Sequence, residues 1–268
     1  MVDSAAKNVE KVYDQWGKDY DEFMPWEEKF RNESNYYMQI FRQNNVKKVH
    51  DAGCGTGRHA LYFAQAGYEV TGSDISSGML QKAEERVKAA GYQINWVHSS
   101  FQELADKVDK RYDCLFSGGT ALAHILDEEE LLIALNSIRE VLVPGGILIT
   151  DNINGELKAK KGLSIGPLEV PEGPEGQDSD KLWLRVLNTN WPIINYNVVT
   201  MEKIDGKWGM VVKTFDLRGD IHVLLRKLLP KAGFEIISDE PNSDYGGTSS
   251  SYQLKHGEPR GVFVARRI

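Results

Sequence analysis

The chain has 268 residues, of which 41% are apolar, 26% charged and 10% aromatic, a balance that excludes disorder as its main state. That length accommodates one large α/β domain, or a domain with an inserted subdomain, around a core that needs no disulfides. With 32 basic against 39 acidic side chains the net charge is -7, which repels a long polyanion, so no nucleic acid is expected as a partner. The densest basic cluster, Lys158, Lys160 and Lys161, reads as solvated surface. Cys54 and Cys114 form no C-x-x-C pair and have no histidine cluster beside them, which argues against zinc and against a disulfide framework. The polar first ten residues lack a signal-peptide core, and no apolar run is long enough to span a bilayer. The expected setting is a reducing cytoplasm, with no membrane partner; the oligomeric state is left open.

In chain order, Val9, Val12, Tyr13, Trp16, Tyr20 and Phe23 recur at helical spacing, so residues 5 to 24 read as a helix with an aromatic face. Tyr36, Tyr37, Ile40 and Phe41 mark a second helix. An apolar strand from 46 to 49 then runs into Asp51-Ala52-Gly53-Cys54-Gly55-Thr56-Gly57, a strand followed by a glycine turn. A helix over 59 to 66 stops at Gly67, and residues 68 to 74 form the next strand, which ends in Asp74. The alternation continues with a helix at 79 to 90, strands at 94 to 98 and 112 to 116, and a helix at 128 to 142 ended by Pro144-Gly145-Gly146. The short strand at 147 to 150 is apolar throughout, as in strands buried on both faces of a parallel sheet. After a stretch rich in Gly, Pro and Lys, strand-like runs at 181 to 188, 196 to 204 and 208 to 215 read as an antiparallel patch, with Asp205-Gly206 as a hairpin signal. A helix at 221 to 232 and strands at 234 to 238 and 261 to 266 complete the pattern. The patch is expected to cover one edge or mouth of the main sheet.

The glycine loop is the most informative motif. Glycines after a first strand let the backbone and helix N-terminal amides approach a ligand. Here they are spaced G-x-G-x-G, where dinucleotide loops use G-x-G-x-x-G, and Asp51 lies just before them. A carboxylate there repels a pyrophosphate and favours a ligand with an ammonium and a sulfonium, while Asp74 is placed to accept both ribose hydroxyls. S-adenosylmethionine fits these residues, and NAD fits them poorly.

Residues 49 to 64 together with Asp74-Ile75-Ser76-Ser77-Gly78-Met79-Leu80 resemble the first two motifs of the class I S-adenosylmethionine-dependent methyltransferases. The resemblance continues through Ser99-Ser100-Phe101 and Pro144-Gly145-Gly146. It implies an α/β, Rossmann-like, doubly wound and mostly parallel seven-stranded sheet, with the antiparallel β insertion covering the active site. In these terms residues 1–45 are an N-terminal helical arm or lid, 46–154 the S-adenosylmethionine-binding core, 155–215 the insertion and 216–268 the C-terminal part of the core. Within the class, Pro25-Trp26-Glu27, the run from Gly118 to His124, Asp151-Asn152-Ile153-Asn154 and the insertion resemble the glycine and glycine/sarcosine N-methyltransferases. That group usually shows Leu-Gly-Asn-Ser after strand four, where this chain has Ser117-Gly118-Gly119-Thr120, and Arg-Asn-Tyr after strand five, where it has Ile153-Asn154-Gly155.

For the donor, the resemblance implies contacts from Trp26, Arg31, Asp51, Gly53, Cys54, Gly55, Asp74, Ile75, Met79, Ser100, Phe101 and Ser117. Arg31 would clamp the methionyl carboxylate, and Ser100 and Phe101 would meet the adenine. For the acceptor it implies His124, Tyr20 and Asn154, with Thr120 assisting; Arg185, on the insertion, is a further candidate for an acceptor carboxylate. Methyl transfer needs alignment and desolvation rather than a covalent intermediate or a metal. The expected acceptor is a small-molecule amine; O- or C-methylation of another small molecule, and donor binding without catalysis, are the alternatives.

Overall fold

In the computed structural model of the protein, residues 4–16, 20–21, 27–155, 162–166, 168, 170, 180–240 and 260–268 are described, with backbone only at 4–6 and 27–30. The alternation of strand, turn and helix closes into a seven-stranded sheet: β1 (Lys48–Ala52), β2 (Glu69–Asp74), β3 (Asn95–His98), β4 (Tyr112–Ser117), β5 (Leu142–Ile153), β10 (Phe234–Glu240) and β11 (Arg260–Arg267), in the order β10-β11-β5-β4-β1-β2-β3. Pairing is parallel from β3 to β5, and β11 runs antiparallel between β5 and β10. The direction of winding reverses between β1 and β4, the place where open α/β sheets leave a crevice at their carboxyl edge.

Strand periodicity sorts the core. Cys114, Phe116, Ile147, Ile149, Val262 and Val264 face α2 (Glu27–Gln43) and α3 (Arg58–Gln65), meeting Tyr37, Phe41, Ala60 and Phe63. The intervening Leu115, Leu148, Phe263 and Ala265 face the opposite layer. That layer contains α5 (Leu104–Lys107), α6 (Glu128–Val141) and a helix at Ile221–Lys231, called α7. Asp127 caps α6 by accepting hydrogen bonds from the amides of Glu129 (2.8 Å) and Glu130 (3.0 Å).

A second, antiparallel sheet follows the order of β6 (Leu163–Ile165), β7 (Lys181–Asn190), β8 (Ile193–Ile204) and β9 (Lys207–Arg218). Asp205 and Gly206, with φ of 51° and 75°, form the two-residue turn joining β8 to β9. Its buried Trp183, Tyr196, Val198, Phe215 and Leu217 belong to the same apolar cluster as Trp16, Leu122 and Ala123. The patch therefore packs over the carboxyl edge of the main sheet.

The structure differs from expectation in places. The helix expected over 5 to 24 is α1 (Ser4–Trp16), with Tyr20 and Asp21 in a turn beyond it. Pro144, Gly145 and Gly146 bulge between Leu142 and Ile147, which pair with Tyr112 and Cys114. The strand expected at 147 to 150 is thus part of a longer one, reaching Ile153 because β11 pairs along it. The short strand β6 lies in a stretch whose Gly and Pro content masks it. Phe23, Trp26 and the lysines at 158, 160 and 161 lie outside the described residues.

Candidate active site

A cavity of about 230 Å³ opens at the carboxyl edge of the sheet beside β1 and β4. One half is built on the glycine loop, where Gly53, Gly55 and Gly57 all have positive φ, at 69°, 53° and 72°. At Gly53 a Cβ would lie 2.7 Å from the Ala121 Cβ, so this position tolerates no side chain. The loop leads into the N-terminus of α3, whose amide dipoles favour a negatively charged ligand group. Asp74, at the end of β2, accepts hydrogen bonds from the Gly55 amide on Oδ2 (2.8 Å) and from the Ser76 amide on Oδ1 (2.9 Å). Those amides aim the carboxylate into the cavity and leave lone pairs for hydroxyls. Ser76 in turn caps α4 (Ser77–Ala89) by accepting from the Met79 amide. Cys54, Ile75, Met79, Ser100 and Phe101 line the same half.

Asp51 is the residue that most clearly awaits a ligand. It is 2% exposed, and its Oδ2 has no hydrogen-bond partner among the described residues. Burial first, and the charge of Asp74 second, push its carboxyl up to about 8. A buried carboxylate oxygen without a partner is costly, and an ammonium group would satisfy it. Asp51, the crowded Gly53 and the aimed Asp74 therefore suit S-adenosylmethionine, which presents an ammonium, a backbone-hugging methionyl chain and two ribose hydroxyls.

The other half is aromatic. Tyr13 and Trp16 of α1, Tyr20, Tyr196 of β8 and Phe215 of β9 line it with His124, which sits on a 3-10 turn, Ala121–His124. Tyr196 and Phe215 stack at 5.1 Å, and Tyr13 meets the His124 ring edge-on at 5.4 Å. Tyr13 Oη is 3.0 Å from His124 Nε2. Burial drives the Tyr13 phenol well above its ordinary range, the Tyr20 phenol to about 12 and the His124 imidazole down to about 4. All three are neutral near pH 7.

Between the halves lies a polar floor in which the sequence pointed to Thr120 but not to Arg260 or Glu33. Arg260 of β11 donates from Nε to Asp151 Oδ1 (2.7 Å) and from Nη2 to Thr120 Oγ1 (3.2 Å), while Tyr37 donates to Asp151 Oδ2 (2.8 Å). Glu33 of α2 also lines the cavity, 3.7 Å from His59 Nε2. The signals were present: a charged Glu33 inside the apolar stripe of α2, and Arg260 before an apolar strand. Which partner each would meet depended on elements far away in the chain.

Four expected site residues stand outside the cavity lining. Arg31 is exposed on α2 and lines a separate surface depression with Arg58 and Arg86, because the face of α2 turned to the cavity carries Glu33. Asn154 and Ser117 are buried but outside the lining. As β5 runs on to Ile153, alternation turns Asp151 and Ile153 to the cavity and Asn152 away from it. Trp26 lies outside the described residues. Arg185, buried on β7, does not line the cavity.

Two aspartates fasten the N-terminal arm across the donor half. Asp14 accepts from Ser76 Oγ (2.7 Å) and the Gly78 amide (3.0 Å), and Asp21 accepts from Thr56 Oγ1 (2.8 Å), Arg58 Nε (3.1 Å) and Arg86 Nη2. Among the described residues, no group of three or more His, Cys, Asp or Glu side chains is arranged to hold a metal ion, and no helix is long and apolar enough to cross a membrane.

The strand order, the glycine loop after β1 and the carboxylate ending β2 together form a Rossmann-like methyltransferase fold, which the chain shares with solved methyltransferase structures. Residues 49–146 match the family model of the methyltransferase domain. A solved structure of an S-adenosylmethionine-dependent methyltransferase from Clostridium acetobutylicum shares the fold, with a TM-score of 0.75 at 15% identity over 95% of this chain and 98% of that one. The chain is similar to the glycine/sarcosine N-methyltransferase of Aphanothece halophytica, being 29% identical over 155 residues. That match covers 58% of this chain and 57% of the relative, so it spans little more than half of the relative's length. It is also similar to a ubiquinone biosynthesis O-methyltransferase of Photorhabdus laumondii, 28% identical over 180 residues, 67% of this chain and 73% of that protein.

Proposed function

We propose that the protein transfers the methyl group of S-adenosylmethionine to the nitrogen of a small amine, an amino acid of the glycine or sarcosine type being the first candidate. The observation that carries this reading is a single cavity that joins the donor-type half at Asp51, Gly53 and Asp74 to an aromatic half holding Tyr13 and His124. S-adenosylmethionine, when bound, supplies an electrophilic methyl group on a sulfonium whose positive charge is lost on transfer.

The chain's own residues have to hold, align and desolvate. Asp51 in its ionised form pairs with an ammonium, and Asp74, fixed by two backbone amides, accepts ribose hydroxyls. Tyr13, Trp16, Tyr20, Tyr196 and Phe215 exclude water around the acceptor. With Tyr13 donating to the neutral His124, the phenolic oxygen keeps a lone pair free to receive an acceptor N–H and so turn the nitrogen lone pair toward the donor.

Nitrogen is favoured over a hydroxyl by the weakness of the base. An imidazole held down to about 4 is a poor acceptor for an alcohol proton, whereas an amine that has lost its proton to water attacks as a neutral nucleophile and needs no base in the site. Methyl-labelled S-adenosylmethionine offered with a panel of amino acids, small amines, phenols, alcohols and carboxylates tests the proposal. Label is expected in a primary or secondary amine; label only in a hydroxyl, a carboxylate or a polymer would overturn it.

A further inference from the structure

Thr120 is bent into a conformation that β-branched residues avoid, φ 76° and ψ 16°. Four hydrogen bonds hold it and its partners there. Its amide donates to the Asp151 carbonyl (3.0 Å), and its Oγ1 accepts from the Ile153 amide (3.1 Å) and from Arg260 Nη2 (3.2 Å). Arg260 is itself held by Asp151 at 2.7 Å. Thr120, Asp151 and Arg260 are 4%, 1% and 7% exposed, and all three line the cavity. They come from the end of β4, from β5 and from β11, so the network ties the far side of the sheet to the centre of the site.

The residue after Thr120 is Ala121, whose Cβ crowds Gly53 of the glycine loop. The backbone turn at Thr120 therefore decides how closely the loop after β4 presses on the donor half. Stability alone does not call for this arrangement, since apolar packing serves a core as well as a buried ion pair and glycine takes a left-handed turn without strain. Strain that surrounding groups over-determine at a cavity wall points to positioning.

We propose that Arg260 is a positioning residue for methyl transfer: through Asp151 and the Thr120 hydroxyl it locks the 118–121 loop, and so sets the spacing between the donor loop at Gly53 and the acceptor half of the cavity. This rests on methyl transfer but not on the acceptor being an amine.

Thr120→Gly cuts the link to Arg260 while accepting the left-handed turn freely, and Thr120→Ser keeps the hydroxyl. Two readouts apply: the ¹³C resonance of bound S-adenosyl-[methyl-¹³C]methionine, and turnover with the best acceptor from the panel at saturation. Thr120→Gly is expected to stay folded and to bind the donor within about threefold of the parent, but with a shifted and broadened methyl resonance. Its kcat is expected to fall roughly 10- to 100-fold, the scale of a misalignment near 1 Å, and Thr120→Ser is expected to restore both. The double variant Arg260→Gln/Asp151→Asn, which removes both charges together, is expected to shift the resonance in the same way. An unchanged resonance in Thr120→Gly, or equal damage from Gly and Ser, would overturn the proposal. If no panel compound is methylated, the amine reading fails, and the resonance, which needs no acceptor, still decides the role of Arg260.

Discussion

Tyr13 Oη and His124 Nε2 lie 3.0 Å apart, joining the N-terminal helix α1 to the turn after β4 across the cavity. Burial lowers the His124 pKa and raises that of Tyr13, so the proton stays on the phenol and the pair works as a fixed hydrogen-bonding unit. Tyr13→Phe and His124→Asn should each lower kcat by about 10-fold or more while changing the donor Kd less than about twofold, because acceptor alignment appears in the rate and not in donor binding. Steady-state kinetics combined with donor calorimetry checks this; equal losses in both quantities would mean that the pair serves the donor.

Donor binding should release protons. The folded pKa of Asp51, about 8, lies above its ordinary value of 3.8, so the stability tied to its neutral form is present at low pH and lost as pH rises through 8. His50 and His124, at about 4 against an ordinary 6.5, contribute stability that is present above 6.5 and lost as pH falls through 4. The donor-free protein should therefore be most stable at about pH 6 to 7. An ammonium beside Asp51 favours the ionised form, so donor affinity should improve as pH rises toward 8. Calorimetry at pH 7 in buffers of different ionisation heat should show proton release that Asp51→Asn abolishes.

Gly53→Ala should damage donor binding by steric means. Its φ of 69° and the 2.7 Å approach to Ala121 leave no room for a methyl group, and adopting the turn would strain alanine by about 1 to 3 kcal/mol. Asp74→Ala should weaken S-adenosylmethionine by about 1 to 3 kcal/mol through loss of a charged acceptor. Titration with S-adenosylhomocysteine reads both effects, and NAD should bind neither variant nor parent.

Asp21 ties the N-terminal arm to Thr56, Arg58 and Arg86. Asp21→Ala should loosen the arm and speed donor release by about 10-fold, the scale expected for losing charge-assisted hydrogen bonds, with a smaller effect at high salt. Stopped-flow tryptophan fluorescence can report the release through Trp16, which lines the cavity. A release rate unaffected by the substitution would show that the arm does not retain the donor.

Local pattern accounts for much of what was legible in the sequence. Residues 46 to 154 announce their strands, turns and helices because period-2 and period-3.6 apolar spacing and glycine stops are local properties. Asp51, the three loop glycines and Asp74 can be placed for the same reason, each standing at a strand end or in the turn that follows it. Three points left to the structure share the opposite cause. Whether α2 offers Arg31 or Glu33 to the cavity depends on how the helix is rolled against β1 and β4. Whether residue 151, 153 or 154 faces the cavity depends on how far β11 extends the pairing of β5. The meeting of Arg260 with Asp151 and Thr120 joins residues separated by 109 and 140 positions, which no local spacing encodes. The sequence by itself thus determined the sheet's βα units and the glycine-loop half of the cavity, where local backbone turns place the residues. Tyr20, Thr120 and His124 were legible as single residues, but the aromatic half and its Arg260 floor were assembled only by tertiary packing, because their side chains come from α1, the loop after β4, β5, β8, β9 and β11 and converge only once the two sheets close on each other.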